Sequence, residues 1–385
     1  MSDNVEPKYK THPIKTGDTL LKVSERLGVD PIDIRRFHNI YCAIPDLIEQ
    51  DFPSGLKEFI ISCDMAEAIH APGETPRPKE VVFGLGKKLV LTPVAQQIYY
   101  GVTFTITTGE ETNTMAYKVS VRCIDQEPKE YNLFEINKLT PTFINDEEPN
   151  TIADELAEKV ASVLYPLVIV THKNGKWADI YNIDDIQQRW AVKKQELLEE
   201  YEGPWAEEYL SLVGQSLENR QRLNQSFEDN WFLNAFFSGI YVEYTEALAF
   251  ERTVAFPLLT DTAAVEYTVK QKVEKHLDEG GFINMAQNGE LSDPRAKADF
   301  ENESRLPFYG LDDTVPKATG SYRSKYLLNP KNNTIDTLFL ECDIALDIPR
   351  KVTIVLSLLD TYRDWQAKKV PPPQKPEDKK GLFGF

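Results

Sequence analysis

Little in this chain advertises chemistry. Four cysteines and five histidines are all that occur in 385 residues. Cys42, Cys63, Cys123 and Cys342 are scattered with no Cys-x-x-Cys pair, which excludes a zinc ribbon and a dithiol redox motif. In a chain of this length they are expected as buried free thiols. His38 lies near Cys42, but one such pair at a helix end is no metal site, and His172 and His276 are expected as exposed residues. No Gly-x-Ser-x-Gly or His-Glu-x-x-His signature is present. The stretch "GLGKK" at 84–88 lacks phosphate-loop spacing and runs into "LVLTPV", which reads as a strand and not a helix. No catalytic residue, metal or cofactor is therefore expected, and the chain does not read as an enzyme. Basic charge is also short. Forty-three Lys and Arg against 61 Asp and Glu leave a formal charge of −18, which disfavours nucleic acid as a partner. No run approaches the roughly 18 apolar residues of a membrane span. The opening "MSDNVEPKYK" lacks the basic segment and apolar core of an export signal, so a cytoplasmic location is expected.

What is present is the material of a folded protein: 41 % hydrophobic and 11 % aromatic residues, enough for two or three domains. Residues 1–10 read as a loose N-terminus, 11–63 as a compact unit and 64–80, with "APGETPRPKE", as a linker. From 81 to 365 the pattern is that of an α+β body. Val102, Phe104 and Ile106 alternate with threonines, and "TMAYKVSVRCID" and "KEYNLFEINKL" continue as strands. Residues 151–165 form an amphipathic helix, with Thr151 near its cap. A hairpin follows around Asn174-Gly175, the pair preferred in a type I′ turn. "DDIQQRWAVKKQELLEEY" and "PWAEEYLSLVGQSLENRQRLNQSF" read as two long helices parted at Gly203-Pro204, and "DNWFLNAFFSGIY" as aromatic core. The acid pairs Glu199-Glu200 and Glu207-Glu208 belong to a solvated helix face. The last third returns to strands around a polar stretch, 286–319, expected as a long loop. The order of elements suggests helices laid across two antiparallel sheets, with lobes at 81–240 and 241–365.

The most specific pattern lies in the opening unit. Ile14 and Lys15 lead into Gly17-Asp18-Thr19-Leu20, and "LLKVSERLGV" follows as a helix with Leu20, Val23 and Leu27 on one face. "DPIDIRRFHNI" is a second helix, capped by Asp30 with Pro31 at its first position. Ser54-Gly55 then turns the chain into a closing strand at "EFIIS". In this order and spacing, residues 12–61 resemble a LysM module. The resemblance implies a small βααβ fold. In members that bind N-acetylglucosamine polymers it implies a groove, formed here by Gly17, Asp18, Thr19 and Leu20 on one side and Asn39 and Ile40 on the other. Two features depart from the family: His12-Pro13 replaces its usual aromatic start, and "YCAIPDLIEQD" is a longer second loop.

LysM-like modules without export signals occur in baseplates of contractile phage tails and related injection systems. The resemblance thus implies a non-catalytic adaptor with protein partners, such as spike, tube or baseplate components or an effector of a type VI secretion or phage-tail-like assembly. The alternative is a peptidoglycan- or N-acetylglucosamine-binding cell-wall protein, or cargo exported by a non-classical route. Residues 366–385 stand apart as a Pro/Lys-rich tail. Pro371, Pro372 and Pro373 favour an extended spacer, and Leu382, Phe383 and Phe385 form an apolar tip suited to docking on a partner.

Overall fold

The computed structural model describes residues 9–42, 46–48, 50–62, 79–125, 130–260, 262–278, 280–311 and 314–359. Most of the expected linker, and the tail with Leu382, Phe383 and Phe385, lie outside the described residues.

The N-terminal unit consists of β1 (Lys10–Pro13), α1 (Leu20–Leu27), α2 (Pro31–Tyr41) and β2 (Glu58–Ile61), the two strands pairing antiparallel with His12 opposite Phe59. Local signals set its boundaries. The Thr19 side chain caps α1, and α1 ends on Gly28 in the left-handed region at φ 65°. The Asp30 side chain caps α2, with Pro31 in its first turn. Leu20, Val23, Ile34, Ile48, Phe59 and Ile61 form its own small buried core.

The body contains β3 (Ile98–Thr108), β4 (Glu111–Asp125), β5 (Tyr131–Lys138), β6 (Phe143–Ile144), α3 (Ile152–Ser162), β7 (Leu167–His172) and β8 (Trp177–Ile180). Four helices follow: α4 (Ile183–Glu200), α5 (Pro204–Leu217), α6 (Arg220–Glu228) and α7 (Trp231–Phe236). The chain then runs through β9 (Ala249–Phe256), β10 (Val265–Val273), β11 (Ile283–Leu291), α8 (Lys297–Glu301), β12 (Ser321–Leu328), β13 (Ile335–Ile344) and β14 (Arg350–Leu359). These strands make one antiparallel sheet of 12, in the order β8-β7-β5-β4-β3-β14-β13-β12-β11-β10-β9, with β6 beside β4. The mixed α+β class is as expected, but one sheet stands where two were. The first and last long strands of the body pair along their length, from Tyr99 opposite Leu359 to Thr108 opposite Arg350. The sheet therefore continues across the expected lobe division.

Alternation along strands such as β10 gives the sheet one buried and one outer face. In β10, Val265, Tyr267, Val269, Gln271 and Val273 are buried and the residues between them exposed. Helices α3 to α7 pack on the buried face, through Leu156, Ile186, Trp190, Leu210, Phe227 and Phe232 among others. The segment after α7 shows how strongly the sheet curls. Phe237 packs against Phe134 of β5 with the rings tilted, while the next residue, Ser238, bonds Tyr326 of β12. Five strand steps separate β5 from β12, about 24 Å in a flat sheet. Residues adjacent in the chain reach both only if the sheet wraps around them. Both edge strands are held by the same segment: the Trp177 N–H of β8 donates to the Phe237 carbonyl, and Arg252 of β9 donates to the Gly239 carbonyl at 2.9 Å.

Three local expectations change. The Asn174-Gly175 hairpin is not type I′: Gly175 has φ 82° while Asn174 does not have positive φ, and the Gly175 N–H donates to His172, leaving a three-residue loop. The expected helix after Gly203-Pro204 breaks at Asn219, whose side chain accepts the Arg222 N–H and starts α6. The expected loop 286–319 begins as strand β11 and contains α8. Its polar Gln287 is fully buried, donating to Gln271 at 2.7 Å and accepting from Ser324 at 2.8 Å. A hydrogen-bonded amide replaces the apolar residue that would have marked the strand.

Candidate functional site

The residues singled out at the start of α1 form a tight turn. Gly17 takes φ 85°, with open space where a side chain would be. Asp18 accepts the Lys15 N–H at 3.0 Å and forms a two-pronged pair with Arg26, both contacts 2.9 Å. That pairing, with the Lys15 N–H, holds the Asp18 carboxyl at about 2, well below its ordinary value. The Thr19 hydroxyl accepts the Lys22 N–H, and the Gly17 carbonyl accepts the Lys22 ammonium at 2.9 Å. Leu20 is fully buried, and its N–H donates to Asp51 Oδ1 at 2.6 Å.

On the other side, Asn39 and Ile40 lie in the last turn of α2. Asn39 uses both ends of its amide on one residue: Nδ2 donates to the Ile48 carbonyl at 3.0 Å, and Oδ1 accepts the Ile48 N–H at 2.9 Å. The two sides of the expected groove thus meet through Ile48, whose main chain Asn39 holds and whose side chain shares a core with Leu20. Beyond Ile48, Asn39 borders a cleft of about 210 Å³ whose other walls belong to the body: Gly101 and Thr103 of β3, and Val355 and Ser357 of β14. Their sequence neighbours Val102, Ile354 and Leu356 belong to the core, so this is the outer face of the sheet.

His38 sits beside Asn39, nearly fully buried. Its Nδ1 accepts the Ile60 N–H at 3.0 Å, which requires the proton on Nε2, 2.9 Å from the Asp46 carbonyl. Burial lowers its pKa below the ordinary imidazole value. This is a clasp between α2 and β2, not a metal ligand. Among the described residues no group of His, Cys, Asp and Glu is arranged to hold a metal ion, and no helix is long and apolar enough to cross a membrane.

Sequence reasoning missed the junction between unit and body. Arg35, 1 % exposed, lies 3.5 Å from Asp278 and 3.5 Å from Asp336, with its guanidinium 4.0 Å over the Phe282 ring. Arg36 donates to Asp336 Oδ1 through Nε at 3.2 Å and Nη2 at 2.7 Å. Burial raises the Asp278 pKa, opposed by Arg35. Two arginines from α2 thus meet two carboxylates of the body in a largely dry cluster. Their partners stand hundreds of residues downstream, so the only sequence signal was an arginine pair between the core residues Ile34 and Phe37.

No family model and no curated protein matches this chain. Among solved structures, one described as lipid–protein interactions in lipovitellin shares 10 % identity at TM-score 0.34, over 69 % of this chain and 25 % of that one. A DUF1329 family protein from Desulfovibrio piger shares 8 % identity at TM-score 0.16, over 68 % of this chain and 84 % of that one. This chain spans about a quarter of the lipovitellin chain. Likenesses at this level carry no argument about the fold or activity of this protein.

Proposed function

We propose that this protein is a non-catalytic adaptor whose N-terminal unit is a LysM-like module used for protein contact, and that it serves in a contractile injection assembly of the type VI or phage-tail-like kind. The module assignment rests on the sequence resemblance over 12–61 together with the β-α-α-β order of the unit. The observation that carries the preference for a protein partner over a sugar is Asn39. Its amide, the polar group a glycan would need on that side, is spent at both ends on Ile48, and it borders the sheet of the body. Asp18, on the opposite side, is likewise engaged by Arg26 and Lys15. Glycan binding would require breaking these bonds, each leaving an unmet polar group. The Arg35–Asp336 cluster supports the same reading, since a module fixed to a large body transmits position and load between partners.

Affinity purification of the full chain from its native cell, set beside pelleting with insoluble peptidoglycan, tests this. An adaptor co-purifies with tube, spike or baseplate proteins and stays in the supernatant with peptidoglycan. Pelleting that chito-oligosaccharides compete away, and that Asn39→Ala abolishes, overturns the proposal in favour of a wall-binding protein.

A further inference from the structure

The loop that follows α8 is bonded more heavily than its position at the surface demands. Asp299, fully buried, accepts four backbone N–H groups: Ala296 at 2.8 Å, Phe308 at 3.0 Å, Tyr309 at 2.8 Å and Gly310 at 2.8 Å. Arg295, 2 % exposed, is paired with Asp293 and also donates to Thr262 Oγ1 at 3.0 Å and to the carbonyls of Ala263, Ala264 and Ser304. Buried charges are tolerated only when so fully satisfied. What they hold in place faces outward: Leu306 and Phe308 are each 74 % exposed, with Tyr309 packed edge-on against Phe308 at 5.2 Å. A rigid loop that presents large apolar side chains to solvent has already met the ordering cost that binding would impose.

Directly beside this knob is an open cleft of about 530 Å³. Trp231, Leu259, Leu346 and Ile348 supply apolar walls, Ile348 being 59 % exposed, and Glu301, Glu303, Asp347, Arg350 and Lys351 also line it. Knob and cleft are one continuous surface, because Thr262 of the cleft wall donates to the Ser304 carbonyl at the base of the knob. An apolar projection and an apolar recess side by side are complementary to a second copy related by two-fold symmetry, in which every contact is made twice.

We propose that this face is a homodimer interface, with Leu306 and Phe308 of each copy seated in the cleft of the other. Charge agrees with that seating. Among the charged residues lining the cleft, Glu301, Glu303 and Asp347 outnumber Arg350 and Lys351, and the exposed Arg305 on the knob is placed to meet Glu303 of the second copy. This interface is independent of the adaptor reading, since it involves neither the N-terminal unit nor its junction.

Sedimentation equilibrium of the full chain across the micromolar range tests it. The unaltered chain is expected to dimerise. Phe308→Asp on the knob and Ile348→Asp in the cleft are each expected to weaken the dimer by more than about 30-fold, since the two-fold axis removes each central anchor twice. Both positions are solvent-exposed in the single chain, so circular-dichroism melts at concentrations where the unaltered chain is monomeric should be unchanged. Arg305→Glu should weaken the dimer, and adding Glu303→Arg should restore it. A chain that stays monomeric throughout the range, or a dimer indifferent to both aspartate variants, overturns the proposal. A charge swap that fails to restore the dimer overturns the seating of Arg305 on Glu303.

Discussion

Asp336→Ala puts the junction to its sharpest test. The carboxylate accepts from Arg36 at 2.7 Å and lies 3.5 Å from Arg35. Arg36, with 22 % of its side chain exposed, can turn back to water and should add little to the cost. Arg35 cannot, being 1 % exposed. Removing one member of a buried ion pair typically costs about 3–5 kcal/mol, because a charge is left without compensation. Asp278 stays within 3.5 Å of Arg35 and stacking on Phe282 is unaffected, which places the expectation near the lower end, about 3 kcal/mol. The loss should fall on the attachment of the N-terminal unit and not on the sheet, whose core the variant leaves intact. Hydrogen exchange separates the two. Amides of α2 facing the body should exchange on the order of 100-fold faster, from about 1.4 kcal/mol per tenfold, while those of β3, β4 and β10 keep their rates. Arg35→Met combined with Asp336→Leu and Asp278→Asn should recover most of the loss, since none of the three buried charges then remains unpaired. Unchanged exchange of α2 in Asp336→Ala would refute the idea that this cluster fastens unit to body.

Asn39→Ala leaves the Ile48 N–H and carbonyl without partners, and a loss of about 2 kcal/mol in the stability of the N-terminal unit is expected by denaturant titration. Burial holds the His38 pKa below the ordinary 6.5, so the fold favours the neutral ring and the unfolded chain takes up the proton first. The stabilisation is complete above about 6.5 and is lost as pH falls from there through the lower folded value. Amides of β2 should therefore lose protection as pH falls below about 6.5, and His38→Gln should flatten that dependence. Gly175→Ala would place a Cβ 2.5 Å from the Tyr241 ring at a residue with φ 82°, and a cost of about 3 kcal/mol in global stability is expected from overpacking and backbone strain together. A melting temperature equal to that of the unaltered protein would contradict it.

How much the sequence disclosed follows from how far each interaction reaches along the chain. The Asp30 cap and the proline that opens α2 act within one helical turn, and both are visible as spacing. The strands from 98 to 138 declare themselves by alternation for the same reason. Gln287 defeats that signal because its burial is permitted by Gln271 and Ser324 on the strands either side. The single sheet was hidden because it depends on Ile98–Thr108 meeting Arg350–Leu359, a pairing between segments that look alike whether or not they touch. The candidate groove shows the same limit from another side. Spacing located Gly17, Thr19 and Asn39; Lys22, close by in the motif, engages the first two, but whether the Asn39 amide is free is decided by Ile48 in the loop beyond the helix.

The junction carries this furthest. By composition, residues 64–80 read as a linker between the opening unit and the body. In the folded chain the face of α2 that bears Arg35 and Arg36 is covered, and the carboxylates that meet them lie at the start of β13 and just before β11. A tether can be lengthened at an entropic cost that grows only as the logarithm of its length, whereas parting Arg35 from both carboxylates strands three buried charges together. Among the described residues, that ion cluster is what fastens unit to body. The N-terminal unit should act on any partner as part of the sheet-bearing body, which is what an adaptor requires and what a glycan-seeking module on a tether does not.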